Sequence, residues 1–163
     1  MGLFERELTN VLNPAYGASL LHAVIRGHSE VNEMEQGLAI PHLFVALPLL
    51  LNPRVLDALS HTRSGLRNVA EKLDNGPNTG ADLLRTLLPE AKRKREFTLQ
   101  SLNILLLANL VGLDLKSASV SIKLNNRALP VSDPEGYAEG LKLGKWLASL
   151  SVFEVSSITK VVY

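Results

Sequence analysis

The chain of 163 residues contains no cysteine. This absence excludes a disulfide framework, a thiolate nucleophile and any zinc site that uses cysteine ligands. Aromatic residues make up only 5% of the chain, whereas apolar residues as a whole make up 46% and charged residues 20%. That balance is typical of an ordinary globular protein. We therefore expect a single domain covering residues 1–163.

The sequence also lacks the short motifs that carry common chemistries. It has no Gly-x-Ser-x-Gly nucleophile elbow, no Walker-type phosphate loop and no Gly-x-Gly-x-x-Gly dinucleotide fingerprint. No two of its histidines lie three or four residues apart, so no helical histidine pair is available for a metal. We predict that the chain is not an enzyme and that it has no catalytic, cofactor-binding or metal-binding residues.

A membrane-length apolar run is missing as well. The most apolar stretch, residues 38–51, is interrupted by His42, Pro41 and Pro48, and it is shorter than the roughly 20 residues that a membrane helix needs. Residues 1–7 carry acids where a secretory signal needs a basic region. We expect no membrane segment and a cytoplasmic location. The apolar stretch is then either a core helix or, in part, a protein interface.

Apolar residues recur at helical spacing through most of the chain. Asn13-Pro14 and Asn52-Pro53 each combine a capping residue with a proline suited to the first helical turn. They predict helices over about 13–26, ended by Gly27, and over 53–59. Further helices are predicted over about 38–51, 78–88 and 90–110. Another runs from a cap at Ser60 or Thr62 to residue 73, and the last begins at Asp133.

After Gly112 the hydrophobic period changes. Val120, Ile122 and Leu124 alternate with polar residues, which predicts a strand, and residues 128–131 can return as the second arm of a hairpin. Helices followed by a hairpin have the element order of a winged helix. We predict a mainly α fold: a helical bundle with apolar helices over 1–59, a winged-helix-like lobe of three helices plus a β-hairpin over 60–132, and a C-terminal helix and tail over 133–163.

Charge is concentrated in the middle of the chain. Residues 54–95 carry nine basic and five acidic side chains, although the net charge of the whole chain is only +1. The sharpest feature is a basic run at the predicted N-terminal end of the third lobe helix, the part that enters a DNA groove. The candidate contact residues are Arg63, Arg67, Lys92, Arg93, Lys94 and Arg95. They predict contact with DNA phosphates; an acidic protein partner or plain solvent is the alternative.

Three glycines, Gly136, Gly140 and Gly144, recur every fourth residue in the predicted last helix. Each costs about 1 kcal/mol of helix propensity against alanine. The spacing suits close approach of a second helix, which would offset that cost, and a partner protein could supply that helix.

Four short blocks resemble the middle component of three-component ABC systems. The blocks are residues 13–18 with the following helix to Arg26-Gly27, residues 47–51, residues 62–66 and residues 143–147. The resemblance covers about residues 10–160.

This resemblance implies that the chain is encoded in a bacterial anti-phage operon. Operons of the Lamassu type are among those in which the family occurs. In such systems an SMC-like ABC ATPase senses DNA, and a separate effector, often a nuclease, causes the damage that stops the phage. The resemblance thus implies a non-catalytic adaptor subunit in a hetero-oligomer with both partners, touching DNA directly or through the complex. The alternative from the residues alone is a stand-alone winged-helix DNA-binding regulator.

Overall fold

The computed structural model describes residues 13–32, 36–75, 80–123 and 131–161. The helices in these ranges are α1 (Pro14–Val31), α2 (Ile40–Leu51), α3 (Pro53–Ser60), α4 (Leu66–Asp74), α5 (Gly80–Arg93), α6 (Arg95–Leu107), α7 (Pro134–Leu147) and α8 (Val152–Thr159). The strands are β1 (Leu38–Ala39), β2 (Val111–Asp114) and β3 (Ser119–Ile122). The predicted mainly α fold is confirmed.

Helices α1, α3 and α7 begin where a side chain accepts a hydrogen bond from an N–H group of the first turn. Asn13 Oδ1 accepts from the Ala15 N–H at 3.0 Å, and Asn52 Oδ1 accepts from the Arg54 N–H at 3.0 Å. Asp133 Oδ1 accepts from the Gly136 N–H at 3.0 Å. All three predicted starts are confirmed. The predicted cap at Ser60 or Thr62 is wrong, because α4 begins after Gly65, whose φ of 113° is open to glycine but strained for other residues.

Helix α1 does not end at Gly27, as the sequence predicted, but continues to Val31. Gly27 lies inside the helix, where an added Cβ would overlap the carbonyl oxygen of Leu141 on α7. Gly27 therefore allows α7 to pack closely against α1 and does not provide a left-handed C-cap. Residues 28–31, which follow the predicted end, therefore belong to the helix.

Helices α1 and α7 lie side by side and run in the same direction. Contacts at their two ends show this: the Tyr16 hydroxyl donates to Asp133 Oδ2 at 2.7 Å, and Lys145 Nζ lies 3.0 Å from Glu30 Oε2. Burial, together with the hydrogen bond and charge of Asp133, raises the pKa of Tyr16. The phenol therefore stays protonated as the donor in this link.

The glycine stripe of α7 faces α1. A Cβ at Gly140 would lie 2.8 Å from the Ala23 Cβ, and a Cβ at Gly144 would overlap the Val24 carbonyl oxygen. The close helix approach that the spacing predicted is present, and the helix opposite the stripe belongs to the same chain.

Helix α2 forms the centre of the core. Leu43 and Leu47 are fully buried, and Pro48 lies inside the helix without ending it, since α2 continues to Leu51. The apolar stretch is thus a core helix. In the described ranges no single helix is long and apolar enough to cross a membrane. Helices α2 and α3 reach that length only together, across a bend of 94°.

Lys142 joins α7 to the end of α3. Its ammonium donates to the Leu59 carbonyl at 2.8 Å, where the last carbonyls of α3 have no partner within the helix. The same ammonium forms an ion pair with Glu139 at 2.8 Å and lies 5.7 Å from the centre of the Trp146 ring. The half-buried Lys142 ammonium is thereby stabilised by a carbonyl, a carboxylate and an aromatic ring.

The helix predicted over 90–110 begins too early in the sequence, because residues 90–93 belong to α5 and α6 starts at Arg95. Lys94 has φ −90° and ψ 5° and separates α5 from α6, while Pro89 lies within α5. Helix α6 ends at a left-handed Asn109: the Asn109 N–H donates to the Leu106 carbonyl and the Leu110 N–H to the Leu105 carbonyl, both at 3.0 Å. These paired hydrogen bonds form a Schellman motif. The chain turns there into β2, so Gly112 lies in a strand and does not close the helix.

The strand predicted at Val120 and Ile122 is confirmed as β3, whereas its pairing with a second arm at residues 128–131 stays a prediction. β3 pairs antiparallel with β2, which precedes it, with Leu113 opposite Val120. Residues 124–130, including most of the predicted second arm, lie outside the described residues, and Val131 is not in a strand. β1 pairs with the other edge of β3, so the antiparallel order is β1-β3-β2. A segment between α1 and α2 thus completes the sheet.

The α1–α7 contact predicts a large effect for a single methyl group. We expect Gly144→Ala to lower the free energy of unfolding by about 1–3 kcal/mol, because the added Cβ forces two backbones apart and this outweighs the gain in helix propensity. Chemical denaturation followed by circular dichroism measures the change. Gly112→Ala is the control, since its Cβ would meet only side-chain atoms at 3.4 Å or beyond. Equal stability of the two variants would contradict the packing.

Candidate functional site

The basic run spans the junction of α5 and α6. Lys92 and Arg93 lie in the last turn of α5, Lys94 is the residue between the helices, and Arg95 begins α6. The predicted placement at the start of one helix is therefore correct only for Lys94 and Arg95. Lys92 and Arg93 complement the negative end of the α5 dipole and do not oppose a positive one.

The six candidate residues have different neighbours. Arg93 Nη1 lies 3.0 Å from Glu90 Oε1, so part of its charge is compensated. Arg67 lies in the electrostatic field of Glu154 on α8; hydrogen bonds from Ser151 and this arginine lower the pKa of that carboxyl. Arg63 lines a shallow cleft beside α4 together with Lys72.

Lys92 and Arg95 share a second cleft, of about 360 Å³, which is predominantly apolar. Its walls come from the start of α2, the end of α5 and the segment after α8. The lining residues are Ile40, Pro41, Phe44, Leu88, Ala91, Lys92, Arg95 and Val161. We call this the α2–α5 cleft. The structure thus gives two of the predicted contact residues a common apolar site.

The apolar walls of the α2–α5 cleft could not be identified from the sequence. The sequence places Phe44 in an apolar core helix, and Val161 lies in a tail whose structure the sequence leaves undecided. Phe44 lies about 50 positions from Lys92 and about 120 from Val161 along the chain, so their proximity produces no local sequence pattern. The usable signal is the basic run itself, which forms one side of the cleft.

A second surface lies on α6 and the hairpin that follows it. The large apolar side chains exposed there are Leu99, Ile104, Leu107, Leu113 and Leu115. Leu107 is 79% exposed and Leu115 80% exposed. We call these five residues the α6–hairpin face. Scattered exposed leucines are ordinary, but two almost fully exposed leucines at adjoining elements favour a protein contact.

Three buried histidines are not among the residues of either surface. His22 Nδ1 is 2.9 Å from the Tyr137 hydroxyl. Among the described residues neither ring nitrogen of His42 has a well-aligned hydrogen-bond partner, although the Ser151 backbone lies close enough to favour its charged form. Within the same ranges, no three His, Asp or Glu side chains are grouped to hold a metal ion. Because these histidines are buried, their protonation should affect how the stability of the fold depends on pH.

Burial lowers the pKa of His22, His28 and His42, with Arg26 adding to the effect on His22 and His28 to that on His42. The folded chain then binds fewer protons than the unfolded chain below the ordinary histidine pKa of about 6.5. The stability that this contributes is complete above that pH and is lost as pH falls through the lowered folded values.

We accordingly expect the melting temperature to fall between pH 7.5 and pH 5, and the fall to be smaller in His42→Leu. Leucine retains the volume and removes the titrating group from an apolar site. Differential scanning fluorimetry across this range measures the slope. His61→Leu is the control, because the His61 side chain is 74% exposed. A wild-type slope in His42→Leu would contradict the assignment.

Comparison with known proteins identifies the family of this chain. No curated protein and no solved structure matches the chain. The family model described as ABC-three component (ABC-3C) system Middle Component 3 matches residues 1–162. The match covers nearly the full chain, including both surfaces and the α1–α7 pair. The chain therefore belongs to the family of middle component 3 of ABC-three component systems.

Proposed function

We propose that this chain is a non-catalytic adaptor of a bacterial anti-phage defence complex, of the Lamassu kind, located in the cytoplasm. It would bridge an SMC-like ABC ATPase that senses DNA and an effector, such as a nuclease. The observation that carries the proposal is membership of a family of middle components, because a middle component has other components to bind.

The surface of the chain supports a binding role. The α6–hairpin face leaves Leu107 and Leu115 almost fully exposed, whereas most residues of α2 are buried. Exposed apolar side chains on two adjoining elements gain free energy when a partner removes them from water. The α2–α5 cleft offers a second surface of different character, with cations at an apolar wall. A bridging subunit needs two such contacts.

A stand-alone winged-helix DNA-binding regulator is the second candidate. The topology favours it, since α6 leads directly into the β2–β3 hairpin and β1 adds the third strand. Against it, the exposed side of α6 carries Leu99, Ile104 and Leu107, which cannot contact phosphates. Lys94 and Arg95 at the start of α6 are the residues that would touch DNA.

The adaptor proposal predicts a stable complex with the other products of the operon. On co-expression, we expect the tagged chain to elute with a large coiled-coil ATPase in a fixed ratio on size-exclusion chromatography with light scattering. Leu107→Gln combined with Leu115→Gln should weaken this co-elution, because the interface loses buried apolar area.

The matched control for this pair is Phe153→Gln, which changes an equally exposed apolar residue, 81% exposed, on α8. It should leave the complex intact. Elution of the wild-type chain alone at micromolar concentration would refute the adaptor proposal.

The regulator candidate predicts duplex binding by the isolated chain that weakens steeply with salt. Changing Lys92, Arg93, Lys94 and Arg95 to serine should then lower both the affinity and the slope of log affinity against log salt, by roughly one unit for each phosphate that the variant no longer neutralises. Fluorescence anisotropy with a labelled duplex measures both. Binding that is absent, or unchanged in the variant, removes this candidate.

A further inference from the structure

The α2–α5 cleft has apolar walls that are only partly covered. Ile40, Pro41, Phe44 and Leu88 are half-buried, so they combine contact with the core and contact with solvent. Ala91 and Val161 form its buried floor. At about 360 Å³ the cleft is at the small end of ligand sites, which span about 300–1,000 Å³. It can accept a few apolar side chains.

The charge at this cleft has one sign. Lys92 and Arg95 are exposed, and among the described residues neither forms an ion pair. The nearby carboxylates are engaged elsewhere: Glu90 pairs with Arg93, and Glu96 accepts a hydrogen bond from Gln100 at 3.2 Å. None of the described residues that line the cleft is acidic.

The start of α2 adds to this positive potential. Ala39 precedes the helix and provides no side-chain cap, and Ile40 and Pro41 form the first turn at the cleft wall. The Ile40 N–H donates to the Ala118 carbonyl at 2.9 Å and Pro41 has no N–H, so the helix dipole adds only a weak positive potential beside the two cations.

We infer that the α2–α5 cleft binds an acidic amphipathic segment of a partner protein, whose apolar side chains contact Phe44 and Leu88 and whose carboxylates pair with Lys92 and Arg95. This rests on the proposed function, because it assigns one of the adaptor's two contacts. A nucleic-acid backbone would match the cations but leave the apolar walls uncovered. A neutral apolar segment would cover the walls but desolvate two unpaired cations, which is unfavourable.

Charge reversal tests the ionic half of this inference in the complete complex. We expect Lys92→Glu combined with Arg95→Glu to weaken partner binding by about tenfold or more, since two charge-assisted contacts become repulsive. Arg54→Glu is the control for the single changes Lys92→Glu and Arg95→Glu: it makes the same change of net charge at an exposed residue outside both the cleft and the α6–hairpin face. All of these variants should have wild-type melting temperatures.

A photo-crosslinking amino acid in place of Leu88 identifies the occupant directly. After irradiation of the complex, mass spectrometry of the crosslinked peptide should give a partner segment in which Asp or Glu alternates with apolar residues. A crosslink to a second copy of this chain, to DNA or to a neutral or basic segment overturns the inference, and so does wild-type binding by the cleft reversal. These outcomes leave the adaptor role standing if the wild-type chain still recovers its partner. Failure of the wild-type chain to recover any partner refutes the adaptor role and the cleft assignment together.

Discussion

The close contact between α1 and α7 is the constraint on which the rest of the structure depends. Gly27 meets the backbone of α7, and Gly140 and Gly144 meet α1, so the two helices approach to a distance that side chains would prevent. Helix α1 also packs against α6 and β3. The position of α1 thereby sets where α6 and the sheet lie, although these elements are far from α1 in sequence.

Two surfaces of different chemistry result from this arrangement. Because α1 covers one side of α6, where Gly17 meets Phe97 and Ser101, the leucines on the other side of α6 remain exposed. The helix is interrupted at Lys94, where α5 ends and α6 begins. Lys92 and Arg95, on either side of this interruption, therefore line the same cleft as the apolar Phe44 of α2. A subunit that joins two different proteins benefits from two surfaces that do not compete for the same ligand.

Net charge describes this chain poorly. A value of +1 gives no overall attraction to nucleic acid, yet Lys92 and Arg95 place two cations at one apolar cleft. Local charge of this kind selects a partner by complementarity and contributes more to specificity and association rate than to bulk affinity. The same residues in a continuous exposed helix would have suited a phosphate backbone better.

By itself the sequence determined the helical class of the fold and the starts of three helices. Asn13, Asn52 and Asp133 act through hydrogen bonds to residues two or three positions away, so their effect is legible in the chain order. Only the tertiary structure decided what Gly27 does, which strand pairs with β3, and where the basic run lies. A glycine can end a helix or admit a neighbouring one, and a basic run can face solvent or a cleft. The choice depends on the element opposite, and that element is supplied by distant parts of the chain.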